Sequence, residues 1–266
     1  MKDKTKITIF FLIIVVLFQS LSYETAAFAE PSTVDGEGKI GFSGKYEQTI
    51  LDPENPTIEV DPGESPKTDG SLRIDFVPTL NFYKNKISDQ GRTYYANAQN
   101  FFSDISARGN FIQVTDRRTE PKGWTLQLKQ ENQFVNTTEN SELKGSFLSF
   151  DKSWANSAEQ SAAPQISKDA IILDNLNTSY DLAKAAKDEG IGTWAIVFGA
   201  SAENTSNQLA TLEPRIDEKQ QTVVDTEVQN KPLYLNKAVS LHIPEATQIV
   251  SGDYSTVLTW ILAELP

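Results

Sequence analysis

This sequence predicts an all-β fold, a sandwich or barrel-like domain carrying one short helix. Three observations point there. From Ser71 onward, apolar residues recur with a period of two in run after run. The runs are short, and Gly, Pro, Asn and Asp separate them, as turns require. Only one stretch, near residue 180, carries helix start and stop signals.

The N-terminus belongs to a different class. Lys2, Lys4 and Lys6 precede an apolar run over 7–18, and Ala27-Phe28-Ala29 then offers small residues on either side of a phenylalanine. Residues 1–29 therefore read as a cleaved secretory signal peptide, because the apolar run is short of the roughly 20 residues that span a bilayer. The mature domain is expected over 30–266, outside the cytoplasmic membrane.

The elements follow in order. Ile40, Phe42 and Tyr46 alternate with polar or small residues and read as a first strand. LDPENPTIEVDPGESPKTDG, near 51–70, reads as an acidic Pro/Gly-rich loop, since proline recurs every few positions and lacks a donor. It has no EF-hand spacing, so its acids read as a solvated charge run. SLRIDFVPTLNF puts Leu72, Ile74 and Phe76 on one face before Pro78. NFIQVTDRR sets Phe111, Gln113 and Thr115 against Ile112 and Val114. After a turn through Pro121 and Gly123, WTLQLKQ places Trp124, Leu126 and Leu128 on one face. GSFLSF, AIILDN, TWAIVFG and KAVSLHIP supply further strands. The helix is expected between Ser179 as N-cap and Gly190 past its end, with LAKAAK as its body. In the terminal YSTVLTWIL, Tyr254, Leu258, Trp260 and Leu262 share one face, and Val257, Ile261 and Leu265 the other. Two apolar faces imply burial on both sides, or one face covered by a ligand or partner.

Composition excludes several functions. The formal net charge is −12, so nucleic acid and anionic lipid are repelled as partners. There is no cysteine and a single histidine, His242, which reads as an ordinary strand residue beside Ser240. No metal-ligand spacing occurs, so neither a metal nor another cofactor is expected. The 36 acids leave a carboxylate pair for glycoside hydrolysis open, since sequence spacing says nothing about it. A non-enzymatic protein is the expectation.

One small pattern repeats. Of four tryptophans, Trp124 and Trp260 each stand two residues before a leucine, Leu126 and Leu262. In a strand, each pair shares a face. The pairs read mainly as core residues joining the two halves of the domain; the alternative is an indole face stacking on a sugar ring. Trp154, in SWANSAE, reads as a loop residue, either a lid over the core or a contact.

These residues carry a resemblance. The sequence resembles the WxL-domain family of Gram-positive surface proteins, whose marks are a central GWTL and a C-terminal tyrosine before LTWxL and a final proline. Gly123-Trp124-Thr125-Leu126 matches the first mark, and Tyr254, Leu258-Thr259-Trp260, Leu262 and Pro266 match the second. Tyr83 departs from the pattern, since relatives tend to carry glycine there. The resemblance implies non-covalent attachment to the cell wall at the cell surface, with peptidoglycan as ligand. It also implies membrane-anchored WxL-interacting proteins and other surface proteins as partners. No LPxTG signal or lipidation cysteine is seen, which fits non-covalent attachment. The alternative is an adhesin or scaffold subunit that binds a surface protein or a host matrix protein.

Overall fold

The computed structural model describes residues 48–88 and 92–266. The expected signal peptide and the strand through Ile40, Phe42 and Tyr46 lie outside the described residues.

The first strands are β1 (Ile50–Leu51), β2 (Glu59–Val60), β3 (Leu72–Phe76), β4 (Thr93–Asn97), β5 (Asn110–Asp116) and β6 (Trp124–Gln130). Next come β7 (Val135–Asn136), β8 (Ser141–Glu142), β9 (Phe147–Phe150), β10 (Ser153–Asn156), β11 (Gln165–Ile166) and β12 (Ile171–Leu173). The chain continues with β13 (Ser179–Ala185), β14 (Gly192–Phe198), β15 (Leu212–Pro214), β16 (Val224–Asp225) and β17 (Lys231–Pro232). It closes with β18 (Tyr234–His242) and β19 (Leu258–Glu264).

Two four-stranded antiparallel sheets, ordered β10-β14-β5-β3 and β11-β13-β6-β19, are the layers of a sandwich. Their edges approach one another, β10 beside β11 and β3 beside β19, which gives a barrel-like outline. A third sheet runs β12-β9-β18-β15, with β4 also paired to β18. The main core gathers Ile112, Val114 and Ile196 from the first sheet and Trp124, Leu126 and Leu128 from the second; the third adds Leu148, Phe150 and Val239. All-β architecture is thus what the alternation predicted.

The first sheet is buried on both faces. Phe76, Phe111, Trp154 and Val197 form a second core on its outer side, closed by Val60 and Phe101. That is why β5 is buried at every position and why TWAIVFG is almost continuously apolar.

Three expectations are corrected. No helix occurs among the described residues: Ser179–Ala185 is a strand between β6 and β11. The Ala-rich LAKAAK suits a helix by propensity, but pairing overrides it. Ala185 stands opposite Trp124, where a small side chain leaves room for the indole. A bulge at Leu182 turns that residue fully inward.

The second correction concerns β3. Leu72 and Ile74 pack on the main core, but Phe76 belongs to the second. The register shifts between Ile74 and Phe76, leaving Asp75 as the extra residue, and one extra residue sends the next side chain to the opposite face. The Asp75 carboxylate is buried and accepts from Arg73 Nε at 2.7 Å, Gln113 Nε2 at 3.1 Å and Thr115 Oγ1.

Third, the acidic stretch is only partly solvated. β1 and β2 pair as a ribbon over the second core. Asp52 and Glu54 turn inward. Arg108 makes a two-pronged contact to Asp52 at 3.0 and 3.1 Å, and Glu54 accepts from Ser201 N and Oγ, both at 2.6 Å. The buried arginine lies more than fifty residues away, so nothing local in the sequence announced the pairing.

Candidate functional site

The two W-x-L tripeptides lie on adjacent strands. β6 is flanked by β13 and β19, and β19 pairs along its whole length: Trp260 opposite Leu128, Leu262 opposite Leu126, Glu264 opposite Trp124. The tripeptides therefore meet leucine to leucine, with the indoles displaced to opposite ends.

The first indole is core. Gly123 has φ +96°, and a Cβ there would lie 2.3 Å from the Ala185 carbonyl oxygen, so only glycine fits before Trp124. Trp124 has no exposed surface, and its Nε1 donates to Gly190 O at 3.2 Å. Gly190, at φ +62°, makes the space, since a Cβ would come within 2.9 Å of the indole.

One guanidinium ties the region together. Arg118 Nε and Nη2 donate to the buried Asp116 at 2.9 and 2.7 Å, and Nη2 also reaches Gly123 O at 3.0 Å. Its Nη1 lies 3.0 Å from Glu264 Oε1. The VTDRR turn, the start of β6 and the end of β19 thus share one cation.

The second indole is different. Trp260 is half-buried and lines an open groove of about 580 Å³ with Leu258, Tyr254, Phe134, Phe82 and Pro78. The Tyr254 hydroxyl donates to Val250 O at 2.9 Å, accepts from Val250 N at 3.1 Å and lies 3.0 Å from Ser141 Oγ. Held this way, its ring forms one wall. A second hollow of about 740 Å³ shares Leu80, Phe82, Phe134 and Tyr254 and continues toward Tyr83, Lys84 and Lys86. Indole, phenol and phenyl edges along such a groove suit an extended ligand with apolar faces and polar rims.

The structure thus brings Trp124, Leu126, Tyr254, Trp260 and Leu262 into one region but divides their roles. Trp124 and Leu126 are buried, whereas Trp260 and Tyr254 reach a surface. Leu262 is half-buried against the main core. Trp154 is not a loop contact. It lies in β10, is 6% exposed, belongs to the second core and donates from Nε1 to Gly199 O at 2.9 Å. The alternation of Ser153-Trp154-Ala155-Asn156 against β14 puts it inward. Phe82 and Phe134 were missed as groove residues because they come from irregular segments with no period to follow.

His242 stacks on Phe147 with ring centroids 4.8 Å apart. Its ring nitrogens face Thr93 Oγ1 at 3.0 Å and Ser240 Oγ at 2.9 Å, and burial holds its pKa below the ordinary value. Hydroxyls, rather than a carboxylate, orient the ring on both sides. Among the described residues no cluster of His, Asp and Glu has metal-ligand geometry.

A family model described as WxL domain surface cell wall-binding matches residues 29–266. Neither the curated proteins nor the solved structures returned a match. The match spans nearly the whole chain, including both W-x-L strands and the groove between them and the 78–82 segment, and the chain belongs to the WxL family of surface cell wall-binding domains.

Proposed function

We propose that the domain is a non-enzymatic module that attaches non-covalently to peptidoglycan, and that the Trp260 groove is the surface that meets the polymer. The observation that carries this reading is the division between the two motifs. One indole is sealed in the core, and the other stands half-open beside Tyr254 and Phe134 in a groove. Sugar rings present apolar faces to aromatic walls and hydroxyls to rim donors. Residues 1–29, with their basic start and small-residue end, direct the chain out of the cytoplasm in this reading. Membrane-anchored WxL-interacting proteins then complete a surface assembly.

The test is Trp260→Ala in the mature chain, assayed by retention on purified peptidoglycan beside thermal unfolding. Retention is expected to fall while a cooperative transition persists. Wild-type retention by a folded Trp260→Ala protein overturns the assignment of the groove.

One observation favours a protein partner as a second reading. Among the described residues β19 pairs only with β6; β3 approaches its other edge without pairing, so main-chain groups there stay available to an added strand where β3 does not cover them. Val257, just before it, is 56% exposed. Crosslinking from a photoreactive side chain at Val257 to a membrane-anchored surface protein would support this reading; crosslinking to wall glycan alone would reject it.

A further inference from the structure

Four arginines of the domain are largely withdrawn from solvent: Arg73, Arg108, Arg118 and Arg215. Three have carboxylates. Arg73 holds Asp75, Arg108 holds Asp52, and Arg118 holds Asp116. Arg215, 9% exposed, has none among the described residues. Its Nε donates to Asn97 Oδ1 at 3.0 Å and its Nη2 reaches Phe82 O at 3.4 Å. A buried cation without a counter-ion is costly, and burial accordingly lowers its pKa. The Tyr83 ring lies over it, with its centroid 5.1 Å from the guanidinium carbon.

Tyr83 is itself unusual. It is 46% exposed and sits at φ +61°, a conformation unfavourable for a bulky residue. It also lines the second hollow, the continuation of the Trp260 groove, next to Lys84 and Lys86. Acids are present too: Asp253 is on the lining, Glu218 lies 2.6 Å from Lys86 Nζ, and Asp217 follows Arg215 by two residues. In a chain with a net charge of −12, Lys84 and Lys86 stand on this lining, and Arg215 lies beneath Tyr83, behind the lining rather than on it.

We propose that Arg215, with Lys84 and Lys86 at the rim, is a binding site for a carboxylate carried on the wall polymer, and that Tyr83 is its displaceable cover. The inference rests on the reading that the Trp260 groove meets peptidoglycan: the aromatic half takes apolar ring faces and the basic end takes a charged branch. A guanidinium fork matches a carboxylate in two parallel hydrogen bonds. Phosphate would fit the fork equally well, but a dense polyphosphate is repelled by so acidic a protein much more strongly than sparse carboxylates on a neutral backbone.

The experiment measures retention of the mature chain on three materials: purified peptidoglycan, the same material with carboxylates amidated by a carbodiimide, and walls that keep their phosphate polymers. Amidation is expected to weaken wild-type binding about tenfold, the scale of one charge-assisted pair. Arg215→Gln should bind like wild type on amidated material and gain nothing on the free acid. Tyr83→Gly should keep the preference for the free acid and bind it at least as tightly. Because Arg215→Gln could unfold, the exposed pair K84Q/K86Q is measured too, with a several-fold smaller response to amidation expected and no change in Tm. Equal wild-type binding to free and amidated peptidoglycan overturns the proposal, as does a gain found only on phosphate-bearing walls. If Trp260→Ala abolishes binding while amidation has no effect, this inference fails and the groove reading stands. If amidation matters while Trp260→Ala binds normally, the groove reading fails instead.

Discussion

At the residue scale, Trp124 and Trp260 occupy the same tripeptide and different environments. Trp124 is enclosed, with Gly123 and Gly190 both cut to its shape. Trp124→Ala is expected to destabilise the domain by about 3–5 kcal/mol in urea denaturation, the range for a large buried aromatic. Trp260 is half-buried and should cost clearly less, about 1–3 kcal/mol. A Trp260→Ala loss equal to that of Trp124→Ala contradicts this division. Trp154→Ala belongs with the first group, at about 3–5 kcal/mol, because the ring is core and its Nε1 is bonded to Gly199 O. The sequence placed that residue in a loop. Four residues of Ser, Trp, Ala and Asn are too few to show a period, and only the β14 ladder reveals which way each points.

At the element scale, strand pairing decided what propensity could not. The stretch Ser179–Ala185 has a helix's residues and a strand's neighbours, and ladders on both sides prevail. Far-UV circular dichroism of the mature chain is expected to be β-dominated without a distinct helical signal; a clear helical component would speak against β13. β6 lies inside its sheet and β19 at its edge. In hydrogen exchange, the β6 amides should exchange only through global unfolding, and those of β19 through smaller openings at least about tenfold faster. Equal protection would mean that the free edge of β19 is covered. Elements with clean alternation, such as WTLQLKQ, were legible because one face meets the core and the other solvent. β3 was not fully legible, since a bulge leaves no mark in a binary pattern.

At the scale of the whole molecule, two cores share one sheet, and the acidic ribbon closes the second. Glu54 is the charge most exposed to consequence there. Burial raises its pKa above the ordinary 4.5, against the opposing hydrogen bonds from Ser201 and the charge of Arg108. A raised value means that the folded protein holds this proton more tightly than the unfolded chain. Its stabilising contribution is therefore complete below 4.5 and fades as pH rises through the folded value. Glu54→Gln stays neutral, so its stability relative to wild type should increase from about pH 4 to about pH 7 in denaturation curves. A constant difference across that range would show that Glu54 does not titrate in this way. The pairing that sets this behaviour, Asp52 and Glu54 with Arg108 and Ser201, joins three distant segments.

The sequence by itself determined the fold class, the two W-x-L strands and the family, because each depends on local period or on short motifs. It also made an ordinary strand residue of His242. Only the tertiary structure decided which indole is sealed and which opens on a groove, since that depends on whether a strand lies inside its sheet or at the edge. It alone decided that Trp154 is core, that β13 is a strand, and that Arg215 has no carboxylate while its three counterparts do. Each of these turns on residues that meet only after the chain has folded, and a side chain's burial, register and partners are properties of that meeting.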